Sequence, residues 1–298
     1  MNSHSTEEIN IPNWVEKAEG NDRFFREAVH IVLSAISTSI VLHSTMIMKG
    51  GMLMAIRYNS SRFTRDADFS TRNKYLPGNE VALIEELKNQ IDIVNEELSY
   101  ETICRYQRHE LRPKKVDASF PTLTISVGFA RRTNPSEMRK LNAGQAIGIV
   151  SIDYSYNEAV FDVEVLKLSE GESIQAYSFL NLLAEKYRSL LQQPIRNRNR
   201  EQDVYDINIL LGSERILSAE EKKGLLTLLV NSSSERDIDA KKDSIADVEV
   251  RSRAEKGYEA LRASVEGELI PFEESYEVIQ KLYESLPWDN TFQKENTD

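Results

Sequence analysis

Two aspartates, Asp66 and Asp68, lie two residues apart and follow the glycine pair Gly50-Gly51 at a distance that leaves room for one helix. On a β-strand, residues i and i+2 project from the same face, so both carboxylates would point one way. A glycine pair where a strand gives way to a helix lets the backbone approach a phosphate closely. The N–H groups of the first helical turn then point at that anion. Two hard oxygen ligands beside a phosphate cradle are what Mg2+ needs to hold a nucleoside triphosphate. Asp66 and Asp68 are therefore expected as metal ligands, with Gly50, Gly51 and the hydroxyl of Thr64 around the phosphates.

Nucleotidyl transfer usually wants a third carboxylate on a neighbouring strand, to share a metal and activate the attacking hydroxyl. Asp153, in Ile152-Asp153-Tyr154, is the candidate, with Asp162 one strand later as runner-up.

A second constellation runs from Ala184 to Ile207 and contains Lys186, Arg188, Arg196, Arg198, Arg200, Asp203 and Asp206. At about 100° per residue, Lys186 falls roughly a quarter-turn from the centre of the apolar stripe Tyr177, Leu180, Ala184, Tyr187, Leu191. Asp203 projects within the arc of Val204, Ile207, Leu210 and Leu211, and Asp206 borders it. A carboxylate drawn toward a core face requires a cationic partner. Lys186 or one of Arg196, Arg198 and Arg200 would supply it. A plain helix-locking salt bridge would satisfy the same pattern.

The joint string Lys49-Gly50-Gly51, Arg57-Tyr58, then Arg62-Phe63-Thr64-Arg65-Asp66-Ala67-Asp68-Phe69-Ser70 resembles the AbiEii-type nucleotidyltransferases. These are the toxin half of the AbiE phage-defence systems, within the polymerase-beta-like nucleotidyltransferase superfamily. The segment Glu185-Lys186-Tyr187-Arg188 and the helix carrying Arg200, Asp203, Tyr205 and Asp206 are similar to that family's later motifs. Ala67 stands where a bulkier Ile is usual, and Thr64 where Ser is common. The resemblance implies that Lys186 contacts the triphosphate, and that the Asp203/Asp206 helix contributes a carboxylate. It further implies a toxin made with a cognate antitoxin, acting in abortive infection as an antiviral defence. Its expected chemistry is transfer of NMP from an NTP to an RNA, the 3′ end of tRNA first among the acceptors. Transfer of AMP to a protein side chain, or a non-catalytic binding module on the same fold, are the alternatives.

The elements that must position these groups can be read in outline. Asn21 or Asp22 is expected to cap a helix with the face Phe25, Ala28/Val29, Val32/Leu33 and Ile36. After the central strand–helix–strand, the turn Pro77-Gly78-Asn79 leads into a helix with the stripe Val81, Ile84, Leu87, Ile91, Val94, Leu98. From Glu101 the pattern becomes strand-like. Residues 122–129 and 147–156 alternate with period two, and residues 154–158 suggest a hairpin into a strand at 159–168. Helices follow, one closed by Pro194, one over residues 202–211 and one over 218–230. Asn231-Ser232-Ser233-Ser234 is the expected linker to further helices around Tyr258 and Tyr276. The fold class is α/β: a nucleotidyltransferase-like mixed sheet flanked by helices, with a helical C-terminal region. The expected domains are 1–230, the nucleotidyltransferase part, and 231–298, an acidic helical region.

Composition bounds the setting. The 298 residues are 40% hydrophobic, enough for a large core. The single cysteine, Cys104, excludes an internal disulfide and suits a cytoplasmic protein. Four histidines show no metal-ligand spacing. No signal peptide is recognised. Residues 28–48 lack Asp, Glu, Lys and Arg, but eight polar side chains interrupt them, so a buried helix and a core strand are expected, not a membrane span. The net charge of −11 argues against a polyanionic partner until its distribution is considered. Beyond Asn231 there are 9 Lys/Arg against 17 Asp/Glu, so most of the excess is in the tail. Arg196, Arg198 and Arg200 form a basic loop, the expected RNA contact.

Overall fold

A computed structural model of the chain describes residues 8–114, 118–212 and 215–290. Two compact units emerge, Met1–Arg57 with Thr64–Ala176, and Tyr58–Phe63 with Tyr177–Asp298.

The first unit contains α1 (Ile11–Glu16), α2 (Gly20–Thr38), α3 (Ile40–Thr45), β1 (Ile47–Lys49), α4 (Gly50–Arg57) and β2 (Asp66–Ser70). It continues with α5 (Asn79–Glu97), β3 (Thr102–Arg112), β4 (Thr122–Arg131), α6 (Pro135–Asn142), β5 (Gly148–Ser155), β6 (Val163–Lys167) and β7 (Ser173–Tyr177). The seven strands form one mixed sheet in the order β3-β4-β5-β2-β1-β7-β6. β2 sits at the centre, antiparallel to β1 and parallel to β5.

Period-two alternation divides the β2–β5–β4–β3 part of this sheet into two unlike faces. One carries Ala67 and Phe69, Val150, Ile152 and Tyr154, and Leu123, Ile125 and Val127, all buried. Helices α2 and α5 cover it: Phe25 of α2 packs on Phe129, and Asn95 of α5 bridges the backbone N–H and C=O of Cys104. The other face carries Asp66, Asp68 and Ser70 of β2 and Ser151, Asp153 and Ser155 of β5. A buried apolar face against helices drives assembly; the opposite face is polar at β2 and β5, while at its β3–β4 end Ile103 and Ala130 pack against Leu141 of α6.

Several expectations shift. α2 begins at Gly20, two to three residues earlier than a cap at Asn21 or Asp22 would give, and Glu19 at the cap position makes no capping hydrogen bond. Val81 is exposed, and Leu83 takes its place in the buried stripe of α5. The expected hairpin from β5 into the next strand does not form. Both edges of β5 are already taken by β4 and β2, so Val163–Lys167 adds at the far end of the sheet beside β7. Ser39 breaks residues 28–48 into α2 and α3, its side chain accepting from the Leu42 N–H. Among the described residues no helix is long and apolar enough to cross a membrane.

The second unit is helical: α7 (Phe179–Leu191), α8 (Gln193–Arg196), α9 (Glu201–Leu211), α10 (Ala219–Ser234), α11 (Val248–Glu255) and α12 (Phe272–Glu284). Ser218 opens α10 with a full capping box to Glu221. The residues expected as a linker, Asn231 to Ser234, are the last turn of α10. Serines favour linkers only where nothing pulls them into helix; here Ser233 is fully buried. Nor does the packing divide at 230/231. The Tyr187 hydroxyl donates to the Ile279 carbonyl, and Asn208 Nδ2 to the Ser275 carbonyl, so the acidic tail is built into the same unit as α7 and α9.

Candidate active site

The strand–turn–helix at the centre of the first unit explains itself at Gly50. This residue has φ +67°, the left-handed region that favours glycine. A Cβ built there would lie 2.1 Å from Asp68 Oδ2 and 2.8 Å from Asp68 Cγ. The carboxylate of Asp68 thus occupies the space that any other side chain at position 50 would need. Gly51 follows, buried and helical, in the first turn of α4. Thr64 is half-buried two residues before β2.

Register brings the aspartates together. Asp68 of β2 is the direct partner of Asp153 on β5, and Asp66 is the partner of Ser151. Paired residues on neighbouring strands share a face at about 5 Å. The three carboxylates read from sequence therefore lie on one patch of one sheet face. Asp162, the runner-up, lies outside the sheet in the stretch before β6.

The carboxylates of the patch act on one another. Burial, and then the neighbouring charge of Asp153, push the Asp66 carboxyl above its usual value, against a hydrogen bond with Ser151 and the charge of Arg65. Asp153 Oδ1 is buried and has no hydrogen-bond partner among the described residues. A buried orphan acceptor beside two further carboxylates fits a hard cation. Among the described residues, no group of three or more His, Cys, Asp or Glu side chains is placed to hold a metal ion. Mg2+ does not require one, since it commonly takes one or two carboxylates and completes its shell with water and substrate phosphates.

Beside the aspartates lies an ion pair that sequence reasoning missed. Lys49, opposite Asp68 in the β1–β2 register, is 6% exposed, and its Nζ pairs with Glu158. Ser70 Oγ donates to the same carboxylate at 2.6 Å. A lysine inside the otherwise apolar Ile47-Met48-Lys49 was the available signal. Glu158, in a loop, offered none.

In the second unit, α7 and α9 bring Lys186, Asp203 and Asp206 together. Lys186 Nζ donates to Asp203 Oδ1 at 2.9 Å and to Asp206 Oδ2 at 2.7 Å. Arg62 Nε and Nη2 donate to the two oxygens of Asp206, each at 3.1 Å. The bidentate fork suits a carboxylate geometrically. Asp206 is fully buried; burial alone would raise its carboxyl, but Lys186 and Arg62 together hold it below its usual value. Burial would likewise lower the Lys186 ammonium, and the two aspartates instead raise it. Of the cations expected as partner to Asp203, namely Lys186, Arg196, Arg198 and Arg200, it is Lys186 that pairs with it. Arg62, which precedes β2 in sequence and folds with the second unit, was not foreseen in that role. Asp203 Oδ2 remains buried without a hydrogen-bond partner among the described residues, and an ammonium has three N–H donors of which two are used here. Arg196 and Arg198 are exposed, and Arg200 is half-buried.

Compared with known proteins, residues 32–281 match the family described as "Nucleotidyl transferase AbiEii toxin, Type IV TA system". No curated protein matches. Among solved structures, JHP933 from Helicobacter pylori is 15% identical, with 89% of this chain and 92% of that chain covered and a TM-score of 0.47. A putative nucleotidyltransferase from H. pylori is 15% identical over 89% of this chain and 94% of that one, with a TM-score of 0.49. The nucleotidyltransferase toxin MenT4 from Mycobacterium tuberculosis is 12% identical over 93% and 97%, with a TM-score of 0.44.

Proposed function

The chain belongs to the AbiEii family of nucleotidyl transferase toxins, and from that premise we propose that it moves an NMP unit from an NTP onto an RNA, the 3′ end of a tRNA being the acceptor of choice. It is a nucleotidyltransferase of a type IV toxin–antitoxin system, which implies an NTP substrate and a cognate antitoxin. The observation that supports the transfer chemistry is the pairing of Asp68 with Asp153 across β2 and β5, with Asp66 alongside and Gly50 making room.

Asp66, Asp68 and Asp153 would hold Mg2+, which when bound would neutralise charge on the phosphates. The rest is work for the chain itself. In the transfer, the acceptor hydroxyl attacks the α-phosphorus, the α–β bond breaks, and pyrophosphate leaves. Asp153, with an unsatisfied oxygen, is suited to take the hydroxyl proton. The first-turn N–H groups of α4 at Gly50 and Gly51, with the Thr64 hydroxyl, would receive phosphate oxygens. Lys186, held by Asp203 and Asp206, has one N–H free of those two carboxylates.

Purified protein incubated with each labelled NTP, Mg2+ and either total RNA or total protein tests this reading. Label is expected in the tRNA fraction. Label in protein instead would replace RNA with a protein acceptor, and no labelling in either fraction would overturn the transfer as stated. Such an enzyme, released from its antitoxin, would block growth in abortive infection.

A further inference from the structure

The polar face of the sheet does not stop at the aspartates. Across β5, β4 and β3 the register gives continuous rows: Asp66, Ser151, Ser126, Arg108; then Asp68, Asp153, Thr124, Glu110; then Ser70, Ser155, Thr122, Arg112. Arg105 lies one row beyond Arg108, opposite Gly128. Serine and threonine line the interior of the first three rows, the row of Arg105 runs inward to Gly128 and Ile149, and the β3 edge carries Arg105, Arg108, Glu110 and Arg112.

The arrangement depends on one irregularity. Arg105 and Arg108 are three residues apart, and in a regular strand they would point to opposite faces. The register shifts between Tyr106 and Arg108, leaving Gln107 as an extra residue. Its side chain is tied down by Ala146 N–H at 3.1 Å and by the Leu141 carbonyl at 3.2 Å. The bulge therefore turns both arginines to the side of the aspartates. The opposite face of β3 shows Cys104, Tyr106, His109 and Leu111, and none of its arginines.

Charged residues on an edge strand also discourage aggregation. That role needs charge on the edge but no particular face, and it does not explain hydroxyl side chains running inward from Arg108 and Arg112. Arg112 is partnered by Glu110, whereas no carboxylate among the described residues pairs with Arg105 or Arg108, both exposed. In a chain of net charge −11, two such arginines on the sheet face of the aspartates are complementary to a polyanion.

We propose that this face is the track for the acceptor: a single-stranded RNA end lies across β3, β4 and β5, its phosphates on Arg105 and Arg108, its sugars over the hydroxyl rows, and its terminal hydroxyl at Asp66, Asp68 and Asp153. Three strand spacings, about 14 Å, separate Arg108 from Asp66. The proposal rests on the RNA-acceptor reading above.

The test uses the full chain carrying Arg105→Gln and Arg108→Gln, and unfractionated tRNA with no NTP present, its binding followed between 50 and 200 mM salt. Loss of two single-strand phosphate contacts should lower the slope of log K against log salt by about 1.4, which is about 25-fold in affinity at 0.1 M salt. NTP binding, measured separately, should be unchanged. A double variant with wild-type affinity and slope, while wild type binds and labels tRNA, overturns the track and leaves the RNA reading standing. Wild-type protein that neither binds nor labels tRNA overturns both. Should the double variant fold poorly, Arg108→Gln alone carries the test, with an expected slope change of about 0.7 and about fivefold weaker binding.

Discussion

Replacing Gly50 with alanine should cost more in transfer than in stability. The new Cβ would sit 2.1 Å from Asp68 Oδ2 and 2.9 Å from Asp68 Cβ. An ordinary contact needs about 3.4 Å or more, so the carboxylate must recede by roughly 1.3 Å. Misplacing a reacting group by about 1 Å costs on the order of 100-fold, equivalent to about 2.7 kcal/mol of barrier. The backbone adds its own penalty, because alanine in the left-handed region costs about 1–2 kcal/mol. For a unit of this size, that penalty lowers Tm by roughly 2–8 °C. Gly144 provides the control: its φ is +72° and a Cβ there meets nothing within 4 Å. Gly144→Ala should therefore carry a similar melting penalty with wild-type turnover. Single-turnover labelling at saturating NTP, alongside thermal melts of both variants, makes the comparison. Gly50→Ala within threefold of wild type would refute the claim that Asp68 must occupy that space to function.

Asp66→Asn and Asp68→Asn should each abolish labelling while the fold is retained, as read by circular dichroism. Mg2+ without nucleotide should raise Tm more at pH 8 than at pH 5: Asp66 holds its proton to a higher pH than an ordinary aspartate, so in acid the metal must displace it. Lys186→Met strips one cation from two buried aspartates and should destabilise the chain by about 3–5 kcal/mol in a denaturant melt. The same cluster sets an acid limit. Asp206 is depressed, so its stabilisation is present above the ordinary carboxylate value, about 3.9, and is lost as pH falls through its lower folded value. Arg62→Gln should move that loss to higher pH. The structure places Arg196 at the end of α8 and Arg198 in the loop that follows, both exposed; replacing both with Ala tests them as a second RNA contact, read as weaker RNA binding with a smaller salt slope and little change in NTP affinity.

The local grammar of the site was legible because its spacing is local. Gly50-Gly51 and Asp66-Ala67-Asp68 each lie within one turn or one strand, where periodicity determines direction. Lys186 and Asp203 are separated by 17 residues, yet each announced itself as a charge on an apolar helical arc, which demands a partner. Arg62 gave no such sign. It lies in the stretch between α4 and β2 and reaches Asp206 only because Tyr58–Phe63 folds with the helical unit, where Phe63 N–H donates to the Ser264 carbonyl. Glu158 was hidden for a similar reason: its partners Lys49 and Ser70 lie 109 and 88 residues away.

Strand order set the other boundary of what could be read. Each strand's alternation shows that it has two faces, but not which neighbour extends which face. The hairpin expected after β5 was the natural reading of two adjacent strands and a turn; it fails because β2 and β4 had already filled both edges of β5. That same insertion is what brings Asp68 and Asp153 into register. Were β5 paired with the strand after it, Asp153 would have no register with Asp68, and the hydroxyl rows would not connect β3 to the aspartates. The long-range parallel pairing of β2 with β5 therefore accounts both for the failed hairpin and for the convergence of the carboxylates.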